Sequence, residues 1–295
     1  MERLLTFAGQ WLRICTSDPE VLEVIDFLAG AHLREAGPAM ACPLKVERRG
    51  DAFHLEGQGP QAPTQVGAEM LEEILAQVLV YRLAEHNAEH LLLHAAALEW
   101  AGRAILLVAP AGCGKTTLTG WLTTQGFGFL TDELAAVNEA ARVSGFGRPL
   151  NVKAVGPELW HRFPWLARDG DTARGGAHLT FIPRPSYQGL PLTILALVFP
   201  RYVAGAGVNV EALRVGKSAS GLMSCLLNAR NLPGNGLPWV MGLARQVPAY
   251  DLRYDNLAEA SAWFRGLLGA RSSGASTSGP DSRLDYQKSL VNTVI

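Results

Sequence analysis

The sequence predicts an α/β fold in which a smaller N-terminal α+β domain precedes a larger α/β domain. Apolar residues in 66–83 recur at intervals of three and four, which is typical of a helix with one buried face. The apolar run 104–108 leads directly into a Gly-rich turn and a helix-like segment, the order of a buried strand, a tight loop and a helix. A second long apolar run, 190–200, predicts another buried strand of the same sheet.

The elements of the N-terminal half follow in order along the chain. Residues 4–14 are apolar and fit either a strand or a helix, and the helix 66–83 closes the N-terminal domain, residues 1–88. After the strand 104–108, a helix is expected from Lys115 to about residue 125, ended by Gly126 in a left-handed conformation.

The C-terminal half continues the alternation of strands and helices. Residues 127–130 predict a strand, and the segments 134–137 and 142–146 predict a hairpin. Residues 215–229 predict an amphipathic helix. The larger domain ends near residue 268, because residues 269–295 are rich in Ser and Gly and predict a flexible tail.

Composition excludes several classes of function. Charged residues make up 18% of the chain and the net charge is -1, so nothing indicates a surface for nucleic acid or an anionic membrane. The four cysteines are scattered, without metal-site spacing or the density of a disulfide scaffold, which fits a reducing cytoplasm. No apolar stretch approaches the ~18 residues of a spanning helix. We therefore expect a soluble cytoplasmic protein, and homo-oligomerisation is left open.

The turn after the first buried strand matches the phosphate-loop pattern GxxxxGK[ST], except that Ala109 replaces the first glycine and must avoid a positive φ. Gly112 and Gly114 allow the backbone N–H groups to face a bound phosphate. Lys115 would place its charge on the β- and γ-phosphates, and Thr116 would ligate Mg²⁺. The residues expected to contact ATP are Ala111, Gly112, Cys113, Gly114, Lys115, Thr116 and Thr117. The alternative is a Gly-rich turn that ends in Lys-Thr by chance.

Cys113 lies inside this loop, and a small side chain is the simpler explanation for it than a redox role. Its thiol is expected to be accessible in the empty protein and shielded once a nucleotide fills the loop.

Asp132 and Glu133 follow the strand 127–130, at the end of a strand where an α/β sheet presents its ligand crevice. One carboxylate could hold Mg²⁺ and the other could accept a proton. The alternative is an exposed acidic turn.

Three segments stand out together by their order and spacing: LLLHAAALEWAGRAILLVAPAGCGKTTL at 91–118, QGFGFLTDELAAV at 125–137 and GRPLNVK at 147–153. They resemble the HPr kinase/phosphorylase family, and more closely its shorter HPr-kinase-related bacterial members. The resemblance covers about residues 89–268, including FPRYVAGAG and PAYDLRY. It implies a P-loop kinase domain of the HPr kinase/PEP-carboxykinase-like type there, with ATP and Mg²⁺ as cofactors.

The same resemblance implies roles for individual residues. Asp132 takes the place of the catalytic base, and His94 on a preceding strand would orient it, although a histidine at a strand end is often purely structural. Glu133 stands where the family commonly has aspartate and would serve with Thr116 as a metal ligand. Arg148 and Lys153 match an RPxxxK segment and would bind phosphate or a substrate carboxylate, or else lie on a solvated loop. With Lys115, the expected catalytic residues are Asp132, Glu133 and His94.

The function that these features predict is an ATP-dependent kinase acting on a hydroxyl, with serine favoured, of a peptide, a small protein or an amino-acid-like molecule. Related kinases that modify lasso-peptide precursors make a peptide acceptor reasonable. The glutamate-and-arginine signature of full HPr kinases is not found after the second strand, so HPr itself is less favoured. The alternatives are a nucleotide-gated binding protein or chaperone with weak ATPase activity, and an unrelated small-molecule ATPase.

Overall fold

The structure, a computed structural model, describes residues 1–38, 42–60, 62–152, 179–181, 183, 186–187 and 189–272. It shows a mixed α/β protein with two larger sheets and flanking helices, as the sequence predicts at the level of fold class. Lys153 and residues 273–295 of the expected tail lie outside the described residues. None of the helices in these ranges combines the length and apolar composition that a membrane crossing requires.

The N-terminal sheet contains six strands and is covered by two helices. The elements are β1 (Glu2–Phe7), β2 (Gln10–Thr16), α1 (Pro19–Ala29), β3 (Leu33–Arg34), β4 (Cys42–Arg49), β5 (Ala52–Glu56), β6 (Gln65–Gly67) and α2 (Leu71–Ala84). The spatial order of the strands is β3-β1-β2-β4-β5-β6. The segment 4–14, for which strand and helix were both open, forms the hairpin β1–β2. Its turn residues Ala8 and Gly9 have φ of 49° and 78°, as a tight two-residue hairpin turn requires.

The helix expected over 66–83 begins five residues later than predicted, at Leu71. Val66 belongs instead to β6, where it pairs with Phe53 and is buried against the same core. An apolar residue in phase with a helical pattern can also satisfy the alternation of a short edge strand, because periodicity alone does not separate the two over three residues.

The second sheet carries the candidate site. Its elements are β7 (Leu91–Trp100), β8 (Arg103–Val108), α3 (Lys115–Thr124), β9 (Gly128–Thr131), β10 (Leu134–Val137), β11 (Arg142–Gly145), β14 (Leu192–Tyr202), β15 (Asn209–Ala212), α4 (Val215–Ser224), α5 (Leu237–Gln246) and β16 (Ala249–Tyr254); β12 (Leu150–Val152) and β13 (Leu179–Phe181) form a separate pair. The spatial order is β11-β10-β7-β8-β14-β16-β15, with β9 also on β7. Strands β8, β14 and β16 are parallel, and β7 is antiparallel to β8.

Most of the predicted elements of this sheet are confirmed. Strand β8 contains the run 104–108, β10 and β11 form the expected hairpin, and β14 lies where the apolar run 190–200 predicted a strand. Helix α3 ends as expected. Gly126 has φ 93°, its N–H bonds to Thr123 O, and the N–H of Phe127 bonds to Leu122 O, which is a Schellman motif.

The helix expected over 215–229 ends at Ser224, five residues early. The chain after it pairs with β7 instead of continuing the helix. His94 N–H donates to Cys225 O at 2.8 Å, and Leu227 N–H donates to Leu92 O at 2.8 Å. Asn228, fully buried, accepts from Leu92 N–H through its side chain and donates to the carbonyl of His90. These bonds to a neighbouring strand take the place of the last helical turn.

Contacts divide the chain into two compact units, Met1–Leu257 and Ala258–Ile295. Within the first unit, Leu92, Leu134 and Phe146 of the second half pack in one hydrophobic core with the N-terminal sheet and its helices. The predicted boundary after residue 88 coincides with the change from one sheet to the other, and the division into two domains remains a prediction. The second unit contains α6 (Leu257–Ser272) from its second residue onwards, so helical structure extends past residue 268, where the tail was expected to begin.

Candidate functional site

The strand register brings the predicted site residues together around His94 of β7. Ala95 pairs with Val108, the last residue of β8, so the loop that begins at Ala109 leaves the sheet beside His94. On the opposite edge of β7, His94 pairs with Leu134, the first residue of β10. The glycine-containing loop and the acidic pair before Leu134 therefore emerge on either side of His94.

Asp132 and Glu133 lie where the strand that pairs with β7 is interrupted, between the end of β9 and the start of β10. Thr131 ends β9 opposite Ala97, and Leu134 resumes the pairing opposite His94, with Asp132 and Glu133 between them. The buried hydroxyl of Thr131 accepts the N–H groups of Glu133 and Leu134, each at 3.2 Å. This hydroxyl replaces the missing ladder partners and gives the two carboxylates a fixed backbone.

Thr131 is a residue that sequence reasoning missed. It also donates to the carbonyl oxygen of Phe146 at 2.8 Å, which connects the acidic turn to the end of β11. The available signal was a threonine at the end of a strand, one residue before an acidic pair, since hydroxyl side chains bond to nearby backbone N–H groups in turns.

The loop has the backbone conformation that its glycines predict. Gly112 and Gly114 have φ of 84° and 86°. A Cβ atom on Gly114 would lie 2.6 Å from the hydroxyl oxygen of Tyr254, so glycine is required there by space as well as by φ. Ala109 is buried and is absent from the described non-glycine residues with positive φ, as predicted.

Two tyrosines hold the loop from outside. The N–H of Tyr202 donates to Cys113 O at 3.1 Å, and the hydroxyl of Tyr254 donates to Gly114 O at 3.0 Å. In a trans peptide the C=O and the following N–H point in opposite directions, so the N–H groups of Gly114 and Lys115 face away from the tyrosines. N–H groups in this orientation at a helix N-terminus can bind an anion. Of the other predicted contact residues, Ala111 is exposed and Cys113, Thr116 and Thr117 are half-buried.

Lys115 is buried at the start of α3, and its Nζ lies 2.9 Å from His94 Nε2. Burial lowers the pKa of Lys115, and the carboxylates of Asp132 and Glu133 oppose that shift. An ammonium group only donates hydrogen bonds, so a protonated Lys115 requires Nε2 of His94 as the acceptor. The ring proton of His94 is then on Nδ1.

Nδ1 of His94 lies 3.0 Å from Glu133 Oε1, and Nη2 of Arg148 lies 2.8 Å from Glu133 Oε2. Burial raises the pKa of Glu133, but the His94 hydrogen bond and the Arg148 charge outweigh it and lower the pKa to about 2. Glu133 is therefore an ionised carboxylate with both oxygens engaged. His94 was expected to orient Asp132. Its two ring nitrogens instead contact Lys115 and Glu133.

Asp132 has a different environment from Glu133. Its Oδ2 accepts from the hydroxyl of Thr116 at 2.7 Å, whereas its Oδ1 is buried and lacks a hydrogen-bond partner. Burial raises the pKa of Asp132, and Lys115 and the Thr116 hydrogen bond oppose that shift. A buried carboxylate oxygen without a hydrogen-bond partner is unusual in a folded protein, and a water molecule, an ion or a ligand hydroxyl could satisfy it.

The side chains of this site could supply only part of the coordination shell of a Mg²⁺ ion. Among the residues that the structure describes, no group of three or more His, Cys, Asp or Glu side chains forms a metal site by itself. Mg²⁺ beside nucleotides takes one or two carboxylates and completes its shell with phosphate oxygens and water. The Thr116 hydroxyl could take one position of such a shell, whereas both oxygens of the predicted ligand Glu133 are engaged by His94 and Arg148.

The backbone next to Arg148 is held by a residue of the N-terminal half of the chain, which sequence reasoning did not anticipate. The N–H of Gly147 donates to Nε2 of His32 at 3.1 Å, and the N–H of Arg148 donates to Phe146 O at 2.8 Å. The His32 ring lies against Phe7 and Phe146, with centroid distances of 5.3 and 4.8 Å. No local pattern links two residues so far apart in the chain.

Replacing His32 by Gln should make folding less sensitive to acid. Burial lowers the pKa of His32 to about 4, with Arg34 adding to the shift and the Thr6 carbonyl opposing it. The unfolded chain takes up this proton near 6.5, so the parent loses stability as pH falls from 6.5 towards 4. Between about pH 7 and about pH 5 the excess loss should be ~2 kcal/mol. Urea unfolding at both values would measure it, and an equal loss in parent and variant would contradict the assignment.

A scan against models of known protein families finds no match, and neither does a search of curated proteins.

Proposed function

We propose that the chain is an ATP-dependent kinase that transfers the γ-phosphate to a hydroxyl, with serine favoured, of a peptide, a small protein or an amino-acid-like molecule. The fold expected for it is a P-loop domain of the HPr kinase/PEP-carboxykinase-like type. The observation that carries the proposal is the position of Asp132, which contacts the loop threonine Thr116 at 2.7 Å and keeps a second, buried oxygen without a partner.

The loop supplies the part of the site that would bind the nucleotide. The left-handed glycines, the inward N–H groups and the N-terminus of α3 favour a polyphosphate anion. Lys115 adds a positive charge, and its ammonium group contacts His94 Nε2 in this structure. Phosphate oxygens are stronger acceptors for an ammonium group than an imidazole nitrogen, so a bound nucleotide would replace that contact.

Asp132 supplies the proton acceptor. In the transfer, the oxygen of the acceptor hydroxyl bonds to the γ-phosphorus, and the bond between that phosphorus and the bridging oxygen to the β-phosphate breaks. The hydroxyl proton passes to Oδ1 of Asp132, and ADP leaves. Because burial raises the pKa of this carboxyl group, Asp132 is a better base than a solvated aspartate.

Three further side chains form a chain of contacts that ends on Lys115. Glu133 holds His94 and Arg148 through its two oxygens, and His94 in turn meets Lys115. Mg²⁺ bound to Thr116 and the phosphates would neutralise charge that develops on the phosphate oxygens. Arg148 adds positive charge beside the acidic turn, and the predicted partner Lys153 lies outside the described residues.

The direct test is transfer of label from ATP that carries it on the γ-phosphate. The purified chain is incubated with serine-containing peptides and small proteins from its own gene neighbourhood, each beside a version with serine replaced by alanine. Label on the serine version alone supports the kinase. Release of inorganic phosphate without any labelled acceptor would favour a nucleotide-gated binding protein or another ATPase.

A further inference from the structure

The two sides of the loop differ in chemistry. Strand β8, which leads into the loop, lies between β7 and β14. The β7 side holds His94 and, beyond it, the acidic pair. On the other side, β14 ends with Tyr202 and β16 ends with Tyr254, and both contact the carbonyls of the loop. The loop therefore has a charged, carboxylate-bearing side and an aromatic side.

A nucleotide bound in the loop is expected to have its γ-phosphate on the β7 side and its nucleoside on the β14 side. The proposed transfer places the γ-phosphate at Asp132, on the β7 side. The nucleoside is at the opposite end of a linear triphosphate and is uncharged, so it gains nothing from the carboxylates. It is then expected to leave the loop towards the ends of β14 and β16.

Tyr202 is fixed in position but open to a ligand. Its own N–H bonds to Cys113 O, and the N–H of Val203 bonds to Tyr254 O at 2.9 Å. The rings of Tyr202 and Tyr254 are 5.9 Å apart and nearly perpendicular, at 80°. Tyr254 is buried, whereas Tyr202 remains 47% exposed. Tyr202 is thus held at its backbone and by one neighbouring ring, and almost half of the residue is exposed.

The segment after Tyr202 leaves room beside that ring. Residues 204–206 are exposed and small, and Gly205 and Gly207 have φ of 78° and 62° with open space where a Cβ would lie. This is the exposed end of the FPRYVAGAG segment, to which the proposed transfer assigns no role. A planar ligand could reach the Tyr202 ring without displacing a large side chain of this segment.

We infer that Tyr202 is a stacking surface for the nucleobase of the bound nucleoside triphosphate. The inference rests on the proposed function, because it presupposes that a nucleotide fills the loop. Stacking of a base on an aromatic side chain contributes affinity without contacting the phosphates. Tyr202 would therefore strengthen binding of ATP and leave the affinity for an inorganic polyphosphate unaltered.

The experiment compares two ligands that differ only in the nucleoside. Dissociation constants for Mg-ATP and for Mg-tripolyphosphate are measured by calorimetry for the parent, Tyr202→Ala and the matched control Tyr202→Phe. Tyr202→Ala should weaken ATP binding about 5- to 150-fold, the range typical of losing one stacked base. Its affinity for tripolyphosphate should equal that of the parent, and Tyr202→Phe should bind both ligands as the parent does.

Retained tripolyphosphate binding also shows that the variant is folded, and Tyr202→Leu is a second variant if the alanine form does not fold. Equal weakening of both ligands would overturn the inference and make Tyr202 a support of the loop. Unchanged ATP affinity would overturn it too. If in that case the KM for the acceptor rises, the Tyr202 ring contacts the acceptor and not the nucleobase. A parent that binds neither ligand would instead refute the proposed function.

Discussion

Lys115→Ala should abolish phosphoryl transfer and weaken ATP binding while the fold is kept. Lys115 is buried at the N-terminus of α3, directly after the loop, and its Nζ contacts Nε2 of His94. Removing it takes the ammonium charge away from the β- and γ-phosphates in a partly dehydrated site, where charge interactions are strong. Alanine is the best helix former, so α3 should persist.

Transfer is measured with γ-labelled ATP, and binding through protection of Cys113, the half-buried thiol in the loop, from alkylation. Cys15 on β2, also half-buried, is the reference thiol within the same chain. Lys217→Ala removes the same charge from an exposed position on α4 and should behave as the parent. Unchanged turnover in Lys115→Ala would refute the assignment of the loop.

The β8–loop–α3 unit could be predicted from sequence because its signals are local. An apolar run, two glycines that tolerate positive φ and a glycine stop lie within about twenty residues of one another, and each specifies its own conformation. The acidic pair was placed at a strand end for the same reason. What the local signals could not show is that Asp132 contacts Thr116 while Glu133 contacts His94 and Arg148.

Other features depend on contacts between distant parts of the chain. His32 of the N-terminal half meets Gly147, and Tyr202 and Tyr254 hold the loop carbonyls from strands that come much later. Register decides such contacts, and register follows from the complete sheet rather than from any one segment. The early end of α4 has the same origin, because β7 provides the partners of Cys225 and Leu227.

Opposite environments of the two carboxylates suggest a division of labour. Glu133 is held ionised by His94 and Arg148, with its pKa lowered to about 2, so it is a poor proton acceptor. Asp132 is buried, its pKa is raised, and one oxygen is without a partner. Neighbouring acidic groups whose environments push their pKa values apart are a known basis for distinct roles at one site.

Asp132→Asn should leave ATP affinity within a few-fold of the parent and reduce transfer by ~10²–10⁴-fold, the range typical of losing general base catalysis. The amide oxygen of Asn can still accept from the Thr116 hydroxyl, so the contact to the loop is retained. Burial disfavours the charged form of Asp132, so a neutral side chain of the same shape should not lower the thermal unfolding temperature. Asp51→Asn, in the exposed turn between β4 and β5, is the matched control.

This variant should therefore retain ATP binding while it loses phosphoryl transfer, because Lys115 and the loop amides hold the nucleotide without help from a carboxylate. Affinity is measured by calorimetry with Mg-ATP, and transfer by single-turnover labelling of the acceptor. If ATP binding and transfer fall in parallel, Asp132 acts mainly as a metal or structural ligand, as its bond to Thr116 would allow, and the base must be sought at Glu133 or His94. If transfer continues at the parent rate, the kinase mechanism fails and a nucleotide-gated binding protein becomes the better interpretation of the same loop.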